Sequence, residues 1–149
     1  ALRAEALTLL RERLFARREL ATQRLHAPLA RHLERYLALL FPGAQLRVDD
    51  ALRPEGLRRG DTEDAWQALS FGTREQLGIL IRFAYADLLR EAGRPTLIVL
   101  DDALVHADAA RRAAMKRAIF DAATRHQVLL LTCHPAAWDD MGVALRAID

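Results

Sequence analysis

The chain has 149 residues, 52% of them apolar and 28% charged, with a formal net charge of +2. That length suffices for one domain with a real core, and that apolar fraction excludes a disordered chain. The single cysteine, Cys133, excludes an intrachain disulfide and fits a reducing, cytoplasmic setting. No apolar run reaches the length of a membrane span and no signal peptide is visible, so no membrane partner is expected. The chain begins with Ala1, inside a helical pattern, which suggests a fragment.

Charge is uneven. Residues 1–60 hold 12 Arg against 7 Asp or Glu, whereas residues 61–149 hold 10 Lys or Arg against 13 Asp or Glu. A basic first part suits nucleic acid or an acidic partner, but charge runs of this kind are more often a solvated helix face.

Taken in order, Ala1 to Ala27 predicts a long helix. Leu7, Leu14 and Ala21 are seven apart, and Leu10 and Leu25 widen the stripe. Arg17 and Arg24 break a strict heptad, so a coiled-coil end and an ordinary amphipathic helix both fit. Pro28 should interrupt or kink it, because proline lacks an N–H and crowds the preceding turn. A second helix is predicted from Leu29 to Leu40, with Leu29, Leu33, Tyr36, Leu37 and Leu40 on one face. Pro42-Gly43 stops it. Positions 44–68 predict two or three short strands, punctuated by Asp49-Asp50, Pro54, Gly56 and Gly60. Trp66 is expected to pack rather than stack on a base.

Thr73 to Glu91 predicts a strong helix, with Leu77, Leu80, Ile81, Ala84, Leu88 and Leu89 at helical spacing. Ser70 or Thr73 can cap its start and Gly93 can end it. Thr96 to Leu100 is an unbroken apolar or β-branched run, which predicts a strand buried on both faces of a parallel sheet. Asp101 and Asp102 stand where it ends, the edge at which open α/β sheets hold ligands. Asp108 to His126 predicts another helix, capped by Asp108, with Ala109, Ala113, Met115, Ala118 and Ile119 available for burial. Gln127 to Thr132 predicts a second buried strand, ending at Cys133 and His134. Cys133 is expected to be a small packing residue. Pro135 to Met141 predicts a short helical turn and Val143 to Ile148 a last strand. The order strand, helix, strand implies a parallel pair with a right-handed crossover.

Four short stretches then carry a resemblance. Ser70-Phe71-Gly72 is similar to an ABC signature, Leu97 to Asp102 to a Walker B strand, Val105 to Asp108 to a D-loop, and His134 to a switch histidine. In this order they resemble the C-terminal half of an ABC-type ATPase head of the SMC/RecN/SbcC-like group, nearest to the bacterial YhaN-like, SbcC-related ATPases. The likeness is close over Ala65 to Asp149 and loose before it. It implies an α/β fold: the C-terminal lobe of a P-loop head, positions 42–149, with parallel strands and crossover helices. A helical segment at 1–41, the base of a coiled coil, would precede it.

The resemblance also implies ATP and Mg²⁺ as cofactors and ATP hydrolysis as the activity. Asp101 would hold Mg²⁺ through water. Asp102 would polarise the attacking water, although most such heads have Glu there and Asp is one methylene shorter. His134 would bond the γ-phosphate. Ser70, Phe71, Gly72 and Asp108 would close over the ATP of a second head, since a small turn at a helix start offers N–H groups to an anion. A helix cap alone would also explain Ser70 and Asp108. No Gly-x-x-x-x-Gly-Lys-[Ser/Thr] occurs in the sequence, and the only lysine, Lys116, lies on a predicted helix. The missing loop calls for an N-terminal lobe bearing Walker A as partner, and the resemblance implies a second head as homodimer, DNA and an SbcD-like nuclease. Alternatives are a transporter-type nucleotide-binding domain and a non-catalytic helical scaffold.

Overall fold

The computed structural model describes residues 2–148. It begins with α1, a single helix over Leu2–Leu40. Pro28 does not break it in two, so the separate helix expected from Leu29 to Leu40 is its continuation. A proline inside a helix costs roughly 3 kcal/mol, and here packing on its C-terminal side offsets that cost. Leu29, Leu33, Tyr36 and Leu37 are all buried, whereas Leu7, Leu10, Leu14, Leu20 and Leu25 ahead of Pro28 are exposed. Pro28 thus marks where α1 enters the core.

Three short strands follow: β1 (Ala44–Val48), β2 (Pro54–Arg59) and β3 (Thr62–Ala65), paired antiparallel in that order. A bulge between Arg47 and Val48 shifts the β1–β2 register. Gly56 is required by close approach, because a Cβ there would lie 2.7 Å from the Asp64 carbonyl oxygen of β3. Leu57 points into the core, and Trp66, in the 3₁₀ turn Trp66–Ala68, packs against it as expected.

Helix α2 spans Phe71–Glu91, two residues longer at its start than the apolar spacing indicates. Ser70 is the N-cap, its Oγ accepting from the Thr73 N–H at 3.2 Å. The other end is a Schellman closure: Gly93, at φ +71°, donates to Arg90 and Arg94 donates to the Leu89 carbonyl at 2.8 Å. Strand β4 (Leu97–Asp101) pairs in parallel with β5 (Gln127–Leu131), joined through α3 (Ala109–Ala123). Asp108 caps α3, its Oδ1 accepting from the Arg111 N–H at 2.8 Å. Ala114, Met115, Ala118, Ile119 and Ala122 of α3 are buried; the expected Ala109 and Ala113 are exposed instead.

Two expectations fail here for one reason. Strand β4 is not buried on both faces: Ile98 and Leu100 are covered, whereas Leu97 and Val99 are each 49% exposed. Helices α2 and α3 pack against one face of a two-stranded sheet, and nothing among the described residues covers the other. Residues 143–148 form no strand, and Val143, Leu145 and Ile148 are exposed. A strand needs a neighbouring strand to satisfy its backbone, and that part of the chain has none within the described residues. No described helix is long and apolar enough to cross a membrane.

Asp87 of α2, nearly inaccessible, ties the helices together. Its carboxylate accepts from Arg35 Nη2 at 2.6 Å and Tyr36 Oη at 2.9 Å, both of α1. Past the end of α3, Arg125 Nε lies at 3.3 Å and His126 Nε2 at 2.8 Å. His32 Nδ1 stands 3.7 Å away. Burial pushes the carboxyl pKa up, but His126, Tyr36 and the two guanidinium groups prevail and hold it below the usual carboxylate range.

Candidate nucleotide-facing site

The parallel register sets Asp101 opposite Leu131, so the two acids and the Thr132-Cys133-His134 segment leave the sheet at the same edge. The Asp102 N–H still donates to the Leu131 carbonyl at 2.9 Å, extending the ladder by one rung. Asp102 then turns the chain, at φ +43°, and Leu104 follows at φ +68°. Both lie in the left-handed region that non-glycine residues seldom occupy. The Leu104 N–H is held by Glu75 Oε1 of α2 at 3.1 Å, which fixes this loop against the helix.

The Asp102 carboxylate faces β5. Its Oδ1 accepts from the Cys133 N–H at 2.8 Å, and its Oδ2 accepts from the Cys133 thiol, with Sγ at 3.0 Å. These two bonds, thiol first, hold the Asp102 carboxyl below the usual range, with a further contribution from the His134 charge. The same bond pushes the thiol pKa up, because an ionised thiol would face a carboxylate. Cys133 is exposed, which overturns its expected role as a packing residue. His134 is exposed too; its N–H donates to Thr132 Oγ1 at 3.0 Å, and its carbonyl starts the 3₁₀ turn Pro135–Met141 by accepting from Ala137. Asp101 stands exposed beside them.

A second surface lies apart from these residues. Ser70, Phe71 and Gly72 share an open depression with His106, Asp108 and Arg111, and none of Asp101, Asp102 or His134 lines it. Two helix starts meet there, those of α2 and α3, each with its cap. The Phe71 ring, 63% exposed, stands edge-on to His106 at 5.3 Å. Gly72 sits with the position of a Cβ 3.5 Å from the His106 carbonyl oxygen. Arg111 Nη1 donates to Thr73 Oγ1 at 3.1 Å, and that hydroxyl is 2.9 Å from Ser70 Oγ. N–H groups, hydroxyls and a guanidinium gather at these helix starts, and the Asp108 carboxylate, 3.5 Å from Arg111 Nε, partly neutralises the guanidinium.

Sequence reasoning grouped Ser70, Phe71, Gly72 and Asp108, and the structure brings all four to one depression. It did not find His106, Arg111, Glu75 or Cys133. Arg111 had a signal, three residues after a capping Asp; the other three lie far in sequence from what they touch.

Among the described residues, no three His, Cys, Asp or Glu side chains cluster to cage a metal. Mg²⁺ commonly takes only one or two carboxylates, the remainder being phosphate and water. A lone exposed Asp101 fits that role, and not a closed site.

No known protein-family profile matches the chain. It is 36% identical over 146 residues to uncharacterized proteins of Mycobacterium tuberculosis and Mycobacterium bovis. That match covers 97% of this chain and 16% of each of those proteins. Among solved structures, it is similar to the SMC head domain from Thermotoga maritima, with TM-score 0.59 and 20% identity over 81% of this chain and 44% of that one. An SMC ATPase from work on ATP-driven dimerization and DNA-stimulated activation matches at TM-score 0.62 and 20% identity, over 86% and 83%. An Smc head with coiled coil and joint from Pyrococcus yayanosii matches at 0.58 and 18%, over 86% and 26%. The fold is therefore that of the C-terminal lobe of an SMC-type head, with a long helix before it.

Proposed function

We propose that this chain is the C-terminal lobe of an SMC-like ATPase head, within the SbcC-related, YhaN-like branch, and that positions 1–41 are the base of its coiled coil. The observation that carries the reading is the separation of two surfaces on one small lobe. Two acids and a histidine stand at the ends of parallel neighbours, and a capped helix start stands apart. An enzyme that sandwiches nucleotide between two heads needs both. The first would meet the ATP of its own head, and the second the ATP of its partner.

In that role Asp101 would hold the hydrated Mg²⁺, Asp102 would polarise the attacking water and His134 would donate to the γ-phosphate. When bound, Mg²⁺ would neutralise charge developing on the phosphates. Ser70, Gly72 and the Phe71 N–H close over the partner's nucleotide, with Asp108 in the seam. The uncovered β4–β5 face, with Leu97, Val99 and Leu129 exposed, suits a second lobe that brings the phosphate-binding loop. DNA as substrate and an SbcD-like nuclease as partner rest on the resemblance and on the arginine excess of residues 1–60.

The test is complementation. The purified chain should show negligible ATPase activity, and activity should appear when a lobe bearing the Walker A loop is supplied. Robust turnover by the chain alone, or none after complementation with a properly folded lobe, would reject the reading.

A further inference from the structure

Asp102 is held in an unusual way. A carboxylate on a short side chain still rotates about its last bond, and its two oxygens then sweep several positions. Here both oxygens are engaged by one residue: Oδ1 by the Cys133 N–H at 2.8 Å and Oδ2 by the Cys133 thiol at 3.0 Å. The plane of the carboxylate is fixed by that pair. Any residue but proline at 133 would offer the N–H. The thiol is what this sequence adds.

A second observation points the same way. Asp102 sits at φ +43°, which costs a non-glycine residue strain that persists only where the surroundings over-determine it. The Leu131 carbonyl pins its backbone and Cys133 pins its side chain. Cys133 is exposed, so core packing does not explain its choice. A carboxylate accepts about four hydrogen bonds. Two are used here, and lone pairs on both oxygens remain for water.

We propose that Cys133 is a positioning residue for Asp102, its thiol and backbone N–H together aiming the carboxylate that polarises the attacking water. The inference rests on the reading of Asp102 given above. Cys133 takes no part in bond making; its proton stays on sulfur. The thiol supplies the orientation that a longer Glu at this place would otherwise obtain by reach.

The test uses the ATPase assembled with its Walker A lobe, comparing Cys133→Ala, Cys133→Ser and Asp102→Asn. Cys133→Ala should lower kcat about tenfold, the loss expected for one donor to an ionised group, and leave KM for ATP within about twofold, because nucleotide contacts are unchanged. Cys133→Ser, which keeps an O–H donor, should recover most of the rate. On an Asp102→Asn background, Cys133→Ala should add nothing, since it acts only through Asp102. If Asp102→Asn abolishes turnover while Cys133→Ala leaves kcat unchanged, the positioning role is overturned and the ATPase reading stands. If Cys133→Ser is as impaired as Cys133→Ala, or if Cys133→Ala costs the same on the Asp102→Asn background, the role is also overturned. If Asp102→Asn retains full turnover, the assignment of Asp102 as the polarising base falls and takes this inference with it.

Discussion

Asp87 and His126 meet inside the protein, with Nε2 2.8 Å from Oδ1 and both side chains essentially inaccessible. They are 39 residues apart in sequence. Around them Arg35, Tyr36 and Arg125 complete a polar knot where three helices come together. A buried carboxylate survives only with such partners, and removing it would strand the cations it neutralises.

Asp87→Ala should therefore cost about 3–5 kcal/mol in urea denaturation, the range for breaking a buried ion pair. Surface charges such as Glu5 should matter by less than about 0.5 kcal/mol. The same carboxylate sets a pH dependence. Its pKa in the folded protein is depressed, so its contribution is fully present above the ordinary carboxylate value and is lost as pH falls through the folded one. Acid titration of stability should thus be flatter in Asp87→Asn than in the parent. Equal acid sensitivity in the two proteins would show that the knot does not govern it.

Asp102→Asn in the assembled ATPase should leave ATP binding intact and lower turnover by about 100-fold or more, within the range of general-base effects. Dimers with bound ATP should accumulate. Filter binding, phosphate release and sedimentation read the three quantities. Unchanged turnover would direct attention to a neighbouring acid.

Ser70→Arg should block the seam between heads. The residue is exposed, so the lobe should keep its fold, and the head assembled with its Walker A lobe should keep monomeric ATP binding. Mixed with heads lacking the Walker A lysine, Ser70→Arg heads form dimers that keep at most one intact composite site. Normal ATP-dependent dimerisation and hydrolysis by Ser70→Arg homodimers would reduce Ser70 to a helix cap.

Val99→Glu should change the stability of this chain by less than about 0.5 kcal/mol, because the side chain is half exposed. It should nevertheless prevent complementation by the Walker A lobe, since a carboxylate cannot be buried against an apolar face without a partner. Thermal melting checks the first half and co-elution on gel filtration the second. Complementation at the parental level would mean the lobe docks elsewhere.

Much of this fold is written locally. The spacing of Leu77, Leu80 and Ala84, the caps Ser70 and Asp108, and the stop at Gly93 each act within a few residues, and sequence rules find them. The β-branched run before Asp101 and the leucines before Thr132 are likewise plain. Other features depend on distant parts. Pro28 is tolerated because Leu29, Leu33 and Leu37 find a core that lies elsewhere in the chain. Val99 reads as buried because its sheet looks larger in sequence than the two strands present. Asp87 reads as an ordinary polar position on α2, since its partners arrive from both ends of the chain. Cys133 reads as a filler because the carboxylate it holds is 31 residues away.

Helix α1 has the proportions of a lever. At 1.5 Å per residue, the free part ahead of Pro28 reaches about 39 Å, and the seated part from Leu29 to Leu40 only about 18 Å. A sideways load at Arg3 is therefore roughly doubled at the seat, and a 5° tilt there swings that residue by about 3 Å. The fulcrum lies at Pro28, where the helix also lacks one rung. The seat rests on Asp87, whose helix is capped by Ser70 at its other end. Torque on the arm is thus borne by salt bridges to the same rod whose far tip carries Ser70 and Gly72.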